Sequence, residues 1–254
     1  MKNKGWGSLT IKLNVLILVI VLVLSLGLAA FAYQTNSERV DSYYKQTTSR
    51  AAAAVAAFVD GDKVQRLLDA IRTKEFNEKR QAALDADDDG IVREWLDSQG
   101  LLDVYKELDK MLGIYREKLE ASFVYLQCLE KDRSINIVDP DEDIFYMGSI
   151  EETPEGYEIY RTNKHIDPMV TVTEFGWLCS AYEPVVNSQG ENVAIVGVDI
   201  NMNDVMAERQ RFLTTMILFA VAMMVVSSLV TVLLMNRISS SSKTKDEAGE
   251  NKGS

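Results

Sequence analysis

This chain of 254 residues has little of what builds metal sites and disulfide frameworks: one histidine and two cysteines. A structural zinc site takes four His or Cys ligands, so a site of that type is excluded. A small secreted module held together by disulfides is excluded for the same reason. Positive charge is also scarce, because 27 Lys and Arg stand against 38 Asp and Glu, a net charge of −11. A nucleic-acid partner is therefore not expected, since phosphate binding needs a basic surface.

Two long apolar segments without any charged residue lie near the ends of the chain, at residues 13–33 and 212–235. Each exceeds the roughly 20 residues that a helix needs to cross a bilayer core. The first segment follows Lys2, Lys4 and Lys12, so it can also be read as a secretory signal peptide with a cleavage site at residues 30–32. Its length and the presence of a second segment favour an uncleaved anchor.

The distribution of charge predicts on which side of the membrane each part of the chain lies. Residues 1–33 carry three Lys and no acid, residues 236–254 have a net charge of +1, and the residues between the two apolar segments have a net charge of −15. Lys and Arg close to a span favour the cytoplasmic side, which predicts a cytoplasmic N-terminus (1–12) and a disordered cytoplasmic tail (236–254). We therefore expect a two-pass protein of the plasma membrane, in contact with the lipid bilayer, with an extracytoplasmic domain at residues 34–211.

Within residues 34–211, helical patterns come first and strand patterns follow. Helices are predicted from residue 35 to about 70, with a new segment beginning after Asp60-Gly61, and from 92 to about 121. Strands are predicted at 123–129, 135–138, 157–160, 177–186 and 193–200, with a hairpin turn at 187–190. The small residues 51–57 predict a seam where another helix packs closely, either within the chain or in a homodimer. This order of elements is typical of the α+β class.

The residues from Gly176 to Ile200 resemble the end of a Cache domain, the PAS-like extracytoplasmic sensor domain of bacterial chemoreceptors, sensor kinases and cyclases. In that family an aromatic-Ser-Ala-Tyr-x-Pro strand, here 177–184, turns into a Gly-Val-Asp-Ile strand, here 197–200, which leads into the second transmembrane helix. Residues 59–62 and 125–126 also look like Cache segments. The resemblance implies a single Cache domain with a long N-terminal helix and an antiparallel five-stranded sheet, flanked by two transmembrane helices.

The resemblance also implies a pocket over the sheet for a small solute such as a carboxylate, an amino acid or an amine. Strand residues that combine a packing surface with a polar atom are the candidates for ligand contact: Tyr125, Gln127, Trp177, Ser180, Tyr182 and Asp199. Packing in the core remains the alternative for each of them.

Asp199 is the most conspicuous of these candidates, because an Asp in an apolar strand needs a partner or a shifted pKa. It matches the position of an acid that contacts the ligand amine in amino-acid-binding relatives, although capping of the following helix is an alternative role. The Arg-x-Trp-Tyr element of those relatives is absent, since Arg133 and Arg161 are followed by other residues. An α-amino acid is therefore a less favoured ligand.

Three other features are interpreted as structural or left open. The acids from Asp85 to Asp89 partly match an EF-hand loop, but position twelve is Leu96 instead of a bidentate Glu, so a solvated turn is favoured over calcium binding. His165 is expected in an exposed loop. Cys128 and Cys179 are expected on strands that flank a third, about 9–10 Å apart, which is beyond the roughly 7 Å reach of a disulfide.

We find no catalytic constellation and expect neither an enzyme nor a cofactor. Residues 236–239 resemble the start of a HAMP linker, but the chain then lacks the proline and an output domain. The leading hypothesis is a membrane-anchored sensory receptor module, which binds an extracellular solute and passes a signal through the second span to a cytoplasmic or membrane signalling partner. The alternative is a truncated, assembly or structural subunit with a vestigial pocket.

Overall fold

A computed structural model describes residues 4–130, 133–152 and 163–250. Helices precede strands, which confirms the predicted α+β class with its long N-terminal helix. The elements are α1 (Lys4–Phe58), α2 (Gly61–Ile71), α3 (Lys74–Ala86), α4 (Gly90–Ser98), α5 (Leu102–Leu119), β1 (Phe123–Glu130), β2 (Arg133–Val138), a short 3-10 helix (Ile144–Tyr146), β3 (Ile150–Glu152), β4 (Ile166–Thr173), β5 (Gly176–Val186), β6 (Asn192–Asn201) and α6 (Asn203–Glu250).

The chain divides into two compact units, residues 1–39 with 205–254, and residues 40–204. The helical stretches Val15–Phe58 and Asn203–Leu234 are long and apolar enough to cross a membrane. Large apolar side chains of the first unit are exposed, Leu28 and Leu233 among them. Helix α6 continues to Glu250, whereas composition predicts a disordered tail from residue 236. Extending an existing helix needs no new nucleus, which favours helix over this proline-free segment.

The alanine-rich part of α1 packs into the core of the second unit. Ala51, Ala52 and Val55 are buried there, while Ala53 and Ala54 on the opposite side of the helix are exposed. This stretch of α1 therefore contributes to the hydrophobic core within the chain. The seam where another helix packs closely stays a prediction.

The single helix predicted for residues 92–121 is wrong, because the structure has α4 and α5 in its place. Gly100 lies between them with a φ of 66°, and the backbone N–H of Leu101 donates to the carbonyl of Leu96 over 2.8 Å. A glycine in the left-handed region is a common helix end, since it lacks the Cβ that would clash. Hydrophobic periodicity continued across this break and concealed it.

The segment Asp60-Gly61-Asp62 joins the start of α2 to the β5–β6 hairpin. The Asp60 carboxylate caps α2 by accepting from the backbone N–H of Asp62 over 3.0 Å. At Gly61 an added Cβ would lie 2.2 Å from the carbonyl oxygen of Val186, so only glycine fits. The Asp62 carboxylate accepts from the backbone N–H of Ser188 over 3.0 Å. This contact fastens the hairpin to the helical layer.

The sheet is antiparallel and has six strands in the order β3-β2-β1-β6-β5-β4. The prediction of five strands is therefore wrong: β3 and β4 were not expected, and the strand predicted at 157–160 lies outside the described residues. Strand β4 contains Pro168, which removes one backbone donor and argues against a central strand. Its place at the edge of the sheet accommodates the proline.

Both cysteines are free and buried, as predicted. Cys128 on β1 and Cys179 on β5 lie on the two strands that flank β6, so the strand spacing separates them. Burial raises the pKa of both thiols.

The two faces of the sheet have different environments. Val124 and Leu126 of β1, with Val196 and Val198 of β6, belong to the main hydrophobic core shared with the helices. The alternate residues of the same strands point to the other face, because successive side chains of a strand alternate. That other face forms the floor of a cavity.

Candidate ligand-binding site

A cavity of about 670 Å³ lies over the face of the sheet that the helices leave uncovered. Its volume falls within the usual range for pockets that bind small molecules. The described residues that line it come from all six strands, from the β2–β3 connection and from the β4–β5 turn: Phe123, Tyr125, Gln127, Leu129, Ser134, Asn136, Asp139, Glu142, Tyr146, Glu151, Met169, Thr171, Val172, Thr173, Glu174, Phe175, Leu178, Ser180, Tyr182, Ile195 and Asp199.

Strand register explains which side chains meet on the cavity floor. Asp199 of β6 is paired with Phe123 of β1 on one side and with Ser180 of β5 on the other. Directly opposed residues on neighbouring strands hold their Cβ atoms about 5 Å apart on the same face. The carboxylate therefore lies beside an aromatic ring and a hydroxyl.

The next row of the floor places two tyrosines on either side of a glycine. Gly197 of β6 is paired with Tyr125 of β1 and with Tyr182 of β5. The Tyr125 ring occupies the space above Gly197, where an added Cβ would lie 2.3 Å from a carbon of the ring. The two tyrosine hydroxyls are 3.5 Å apart. Glycine in this strand therefore has a packing role, because it lets the ring lie flat across the sheet.

Asp199 is the acid on the cavity floor, with 6 % of its surface exposed. Burial raises the pKa of its carboxyl to about 6, and hydrogen bonding with Ser180 and Tyr125 lowers it in part. One carboxylate oxygen, Oδ1, has no hydrogen-bond partner in the structure. A buried acceptor without a donor is costly, so this atom marks a place where a donor from a ligand would be stabilising.

A second group of acids lines the cavity from the β2–β3 side. Asp139 follows β2 directly, Glu142 lies in the next turn, and Glu151 belongs to β3. The hydroxyl of Tyr146 donates to Oε1 of Glu151 over 3.0 Å. Burial raises the pKa of Asp139 to about 6, and the charge of Arg116 lowers it in part. Burial, followed by the charge of Asp139, also raises the pKa of Glu142.

Five of the six candidates from the sequence line this cavity: Tyr125, Gln127, Ser180, Tyr182 and Asp199. Trp177 does not, and 39 % of its surface is exposed. Its backbone is held instead at the junction of β6 and α6. The N–H of Trp177 donates to Oδ1 of Asn203 over 2.9 Å, and its carbonyl accepts from the N–H of Met202 over 2.8 Å.

Asn201, and not Asp199, supplies a side-chain cap at the start of α6. Its Oδ1 accepts from the backbone N–H of Asn203 over 2.8 Å. The alternative role considered for Asp199, capping of this helix, is therefore wrong. The Asp199 side chain lies on the cavity face four residues before α6 begins.

Sequence reasoning missed most of the acidic lining. Asp139, Glu142 and Glu151 lie in a stretch that reads as an ordinary acidic loop, and Glu174 and Phe175 lie in a turn before β5. The glycine at position 197, inside an otherwise β-branched strand, was an available signal of close packing. Val170 to Thr173 also alternate in the manner of a strand, which is the signal that indicates β4.

The remaining candidates lie away from the cavity. Residues 85 and 86 end α3 and residues 87–89 connect it to α4, with Asp87 in the left-handed region at a φ of 51° and the Asp88 carboxylate accepting from the N–H of Gly90 over 2.9 Å. This is the helix-connecting turn that was favoured over a calcium site. His165 is exposed, and its Nδ1 lies 2.7 Å from Oε1 of Glu183.

A scan against protein-family models finds no match, and a search of curated proteins finds none either. Several solved structures do resemble the chain. The ligand-binding domain of Campylobacter jejuni chemoreceptor Tlp3 in complex with 4-methylisoleucine aligns with 77 % of this chain and 62 % of its own, at 14 % identity and a TM-score of 0.36. The sensory domain of the same receptor with isoleucine bound aligns with 80 % of this chain and 65 % of its own, at 14 % identity and a TM-score of 0.33.

A third structure, the Tlp3 domain in complex with L-valine, aligns with 80 % of this chain and 66 % of its own, again at 14 % identity and a TM-score of 0.33. This chain therefore spans less than two thirds of the length of these domains. All three are ligand-binding or sensory domains of one chemoreceptor.

Proposed function

We propose that this protein is a membrane-anchored sensory module, in which the second unit binds a small solute in the cavity over the sheet. The observation that carries the proposal is Asp199, a buried carboxylate that lines a cavity of about 670 Å³ and has one oxygen without a partner. A buried acceptor kept in this state weakens the fold, and such costs are typical of binding sites. Tyr125, Gln127, Ser180 and Tyr182 would complete the contacts with the solute.

The proposal includes the two long apolar helices as anchors in the plasma membrane. Their length and composition suit a bilayer core, and the excess of Lys and Arg outside the spans favours cytoplasmic termini. The solute would then bind on the extracytoplasmic side, and no chemical step would follow.

The junction of β6 and α6 supports a route for the response. Asp199 lies near the end of β6, four positions before Asn203, the first residue of α6, and the backbone carbonyl of Asp199 accepts from the N–H of Ser122 over 2.8 Å. Trp177 holds Met202 and Asn203 on the other side. A change at the Asp199 carboxylate would therefore reach the start of α6 through a short segment that is paired with β5, and would pass from α6 to a signalling partner.

A thermal-shift screen of the full-length chain in detergent tests this function. A library of small metabolites is applied to the wild type and to Asp199→Asn at pH 7.5. A solute that binds only the folded state raises the free energy of unfolding, and with it the melting temperature. At a solute concentration of 100 times Kd, the gain in free energy is about 2.7 kcal/mol. We expect at least one solute to stabilise the wild type and to lose that effect in Asp199→Asn. A library without any stabilising solute would favour the vestigial pocket.

A further inference from the structure

The charges that line the cavity are all of one sign. Five carboxylates lie among the described lining residues, and no Lys, Arg or His does: Asp139, Glu142, Glu151, Glu174 and Asp199. Arg116 and Arg133 are not among these lining residues; Arg133 pairs with Glu130, and Arg116 pairs with Asp141 while its charge lowers the pKa of Asp139 in part. A ligand carboxylate would meet repulsion here and no compensating positive charge among these residues.

The unpartnered polar atoms of the cavity are both hydrogen-bond acceptors. Oδ1 of Asp199 and Oδ1 of Asn136 are buried without a partner, and both residues line the cavity. Their residues are 6 % and 3 % exposed. A ligand with N–H donors could form hydrogen bonds with both of these acceptor atoms. An ammonium group has three such donors.

The acids are spread along the cavity instead of gathered at one point. Within the part of the chain that the structure describes, no three of its His, Cys, Asp and Glu residues are close enough together to hold a metal ion. The carboxylates of Asp199 and Asp139 interact electrostatically, because the charge of Asp139 raises the pKa of Asp199. An extended cation fits this spacing better than a single ion does.

The sheet register gives the distance between Asp199 and Asp139. Asp199 is paired with Phe123 on β1, and Val138, the residue before Asp139, is paired with Leu126 on the opposite side of β1. The Cα atoms of Asp199 and Asp139 are therefore two strand spacings apart across the sheet and about two residues apart along the strand. This corresponds to a distance of about 12 Å. For side chains that project in parallel from the sheet, the carboxylate oxygens are as far apart as the Cα atoms, and a charge-assisted hydrogen bond of about 2.8 Å at each end then leaves about 6 Å between the two ligand nitrogens.

The aromatic lining suits the same kind of ligand. Phe123 and Phe175 meet at the Asp199 end with ring centroids 4.9 Å apart, and the rings of Tyr125, Tyr146 and Tyr182 also line the cavity. Ring faces attract cations and pack against methylene groups, so a short alkyl chain between two charges has favourable surroundings.

We propose that the ligand is an organic dication, an alkyl diamine of about four or five carbons, with one ammonium at Asp199 and the other at Asp139 and its acidic neighbours. This inference rests on the proposed function and specifies the chemistry of the same cavity. It differs from an α-amino acid ligand in needing an acid at both ends.

A matched series of four-carbon compounds tests the inference by calorimetry on the full-length chain in detergent at pH 7.5. The series is 1,4-diaminobutane, 1-aminobutane, 4-aminobutanoate and butanedioate, which vary only the end groups. We expect the diamine to bind at least tenfold more tightly than the monoamine, since a hydrogen bond to a buried charge contributes about that much. We expect 4-aminobutanoate to bind more weakly still, and butanedioate not to bind.

Two variants assign the ends of the diamine. Asp199→Asn is expected to lower the affinity for both 1,4-diaminobutane and 1-aminobutane by tenfold or more. Asp139→Asn is expected to lower the affinity for the diamine alone. If this variant keeps its affinity for 1-aminobutane, that result shows that it is folded. Asp97→Asn removes the same charge from an exposed site on α4 and is expected to change neither affinity.

The outcomes separate this inference from the function on which it rests. Equal or tighter binding of 4-aminobutanoate or butanedioate overturns the dication and leaves the binding function intact. If the thermal-shift screen finds a ligand without positive charge, that result also overturns the dication and leaves the binding function intact. Equal effects of Asp139→Asn on both amines overturn the two-ended assignment. Displacement of the diamine by CaCl₂ with one-to-one stoichiometry indicates a metal site and also overturns it.

Discussion

Replacing Asp199 by Asn should stabilise the ligand-free protein, although Asp199 is the central residue of the proposed binding site. The free energy of unfolding depends on how the pKa of this carboxyl differs between the folded and unfolded states. Burial raises the pKa in the folded state from 3.8 to about 6. The folded state therefore disfavours the ionised carboxylate that the unfolded chain accepts readily.

The size and sign of the effect follow from these two pKa values. Below pH 3.8 the carboxyl is protonated in both states, and its titration contributes nothing. Between pH 3.8 and about 6 the unfolded state ionises first, so stability is lost as pH rises, and above about 6 the loss is complete. A difference of about two pKa units corresponds to about 3 kcal/mol. The neutral amide of Asn avoids this loss and keeps an oxygen as acceptor for Ser180 and Tyr125.

Thermal unfolding of the full-length chain, followed by near-ultraviolet circular dichroism at several pH values, measures the effect. For a unit of this size, 1 kcal/mol shifts Tm by about 2–4 °C. Asp199→Asn should therefore melt about 6–12 °C above the wild type at pH 7.5 and close to it at pH 4. Asp97→Asn, at an exposed position, is the control for the change in net charge.

Two results would refute this reasoning. One is a Tm of Asp199→Asn at or below that of the wild type at pH 7.5. The other is a difference in Tm that does not grow between pH 4 and pH 6.5. Asp139 titrates in the same range, but it is present in both proteins, so only its interaction with the Asp199 charge enters the comparison.

Three further predictions concern the packing around the site. Gly61→Ala should destabilise the protein by about 3 kcal/mol, because its Cβ would overlap the Val186 carbonyl. The control Gly113→Ala should not lower Tm, because its Cβ would meet only Pro140, at an ordinary distance of 3.7 Å. Equal melting temperatures of the two variants would contradict this prediction. Gly197→Ala should push the Tyr125 ring into the cavity and weaken the best ligand at least tenfold in a calorimetric titration, and an unchanged Kd would show that the ring position does not matter. Cys128 and Cys179 should both react with a thiol reagent only after denaturation, since both are buried and free, and an intact mass two hydrogens lower without reductant would reveal a disulfide.

The sequence could predict the central part of the sheet and the acid on its floor. Strands β5 and β6 are rich in apolar residues, flank a turn at Asn187 to Gly190 and carry the family resemblance, and Asp199 is conspicuous in an apolar strand. Its alternative role in capping could not be dismissed from sequence, because Asn201 is only two residues away and either side chain could cap α6. The structure assigns the cap to Asn201.

The rest depends on contacts between distant residues, which a single sequence does not reveal. Pro168 concealed β4, since only the edge position makes a proline acceptable there. Asp139 and Glu151 come from separate elements, and strand pairing brings them to one cavity. Trp177 was predicted to contact the ligand, but the parity of β5 turns its side chain away from the face that carries Ser180 and Tyr182.

A crystal structure of the full-length protein, grown with a saturating concentration of the solute that most raises its Tm, tests the central claim most directly. We expect electron density for that solute in the cavity over the sheet, with a nitrogen about 2.8 Å from Oδ1 of Asp199. Density for the solute at another surface, with the cavity filled only by water, would contradict the account.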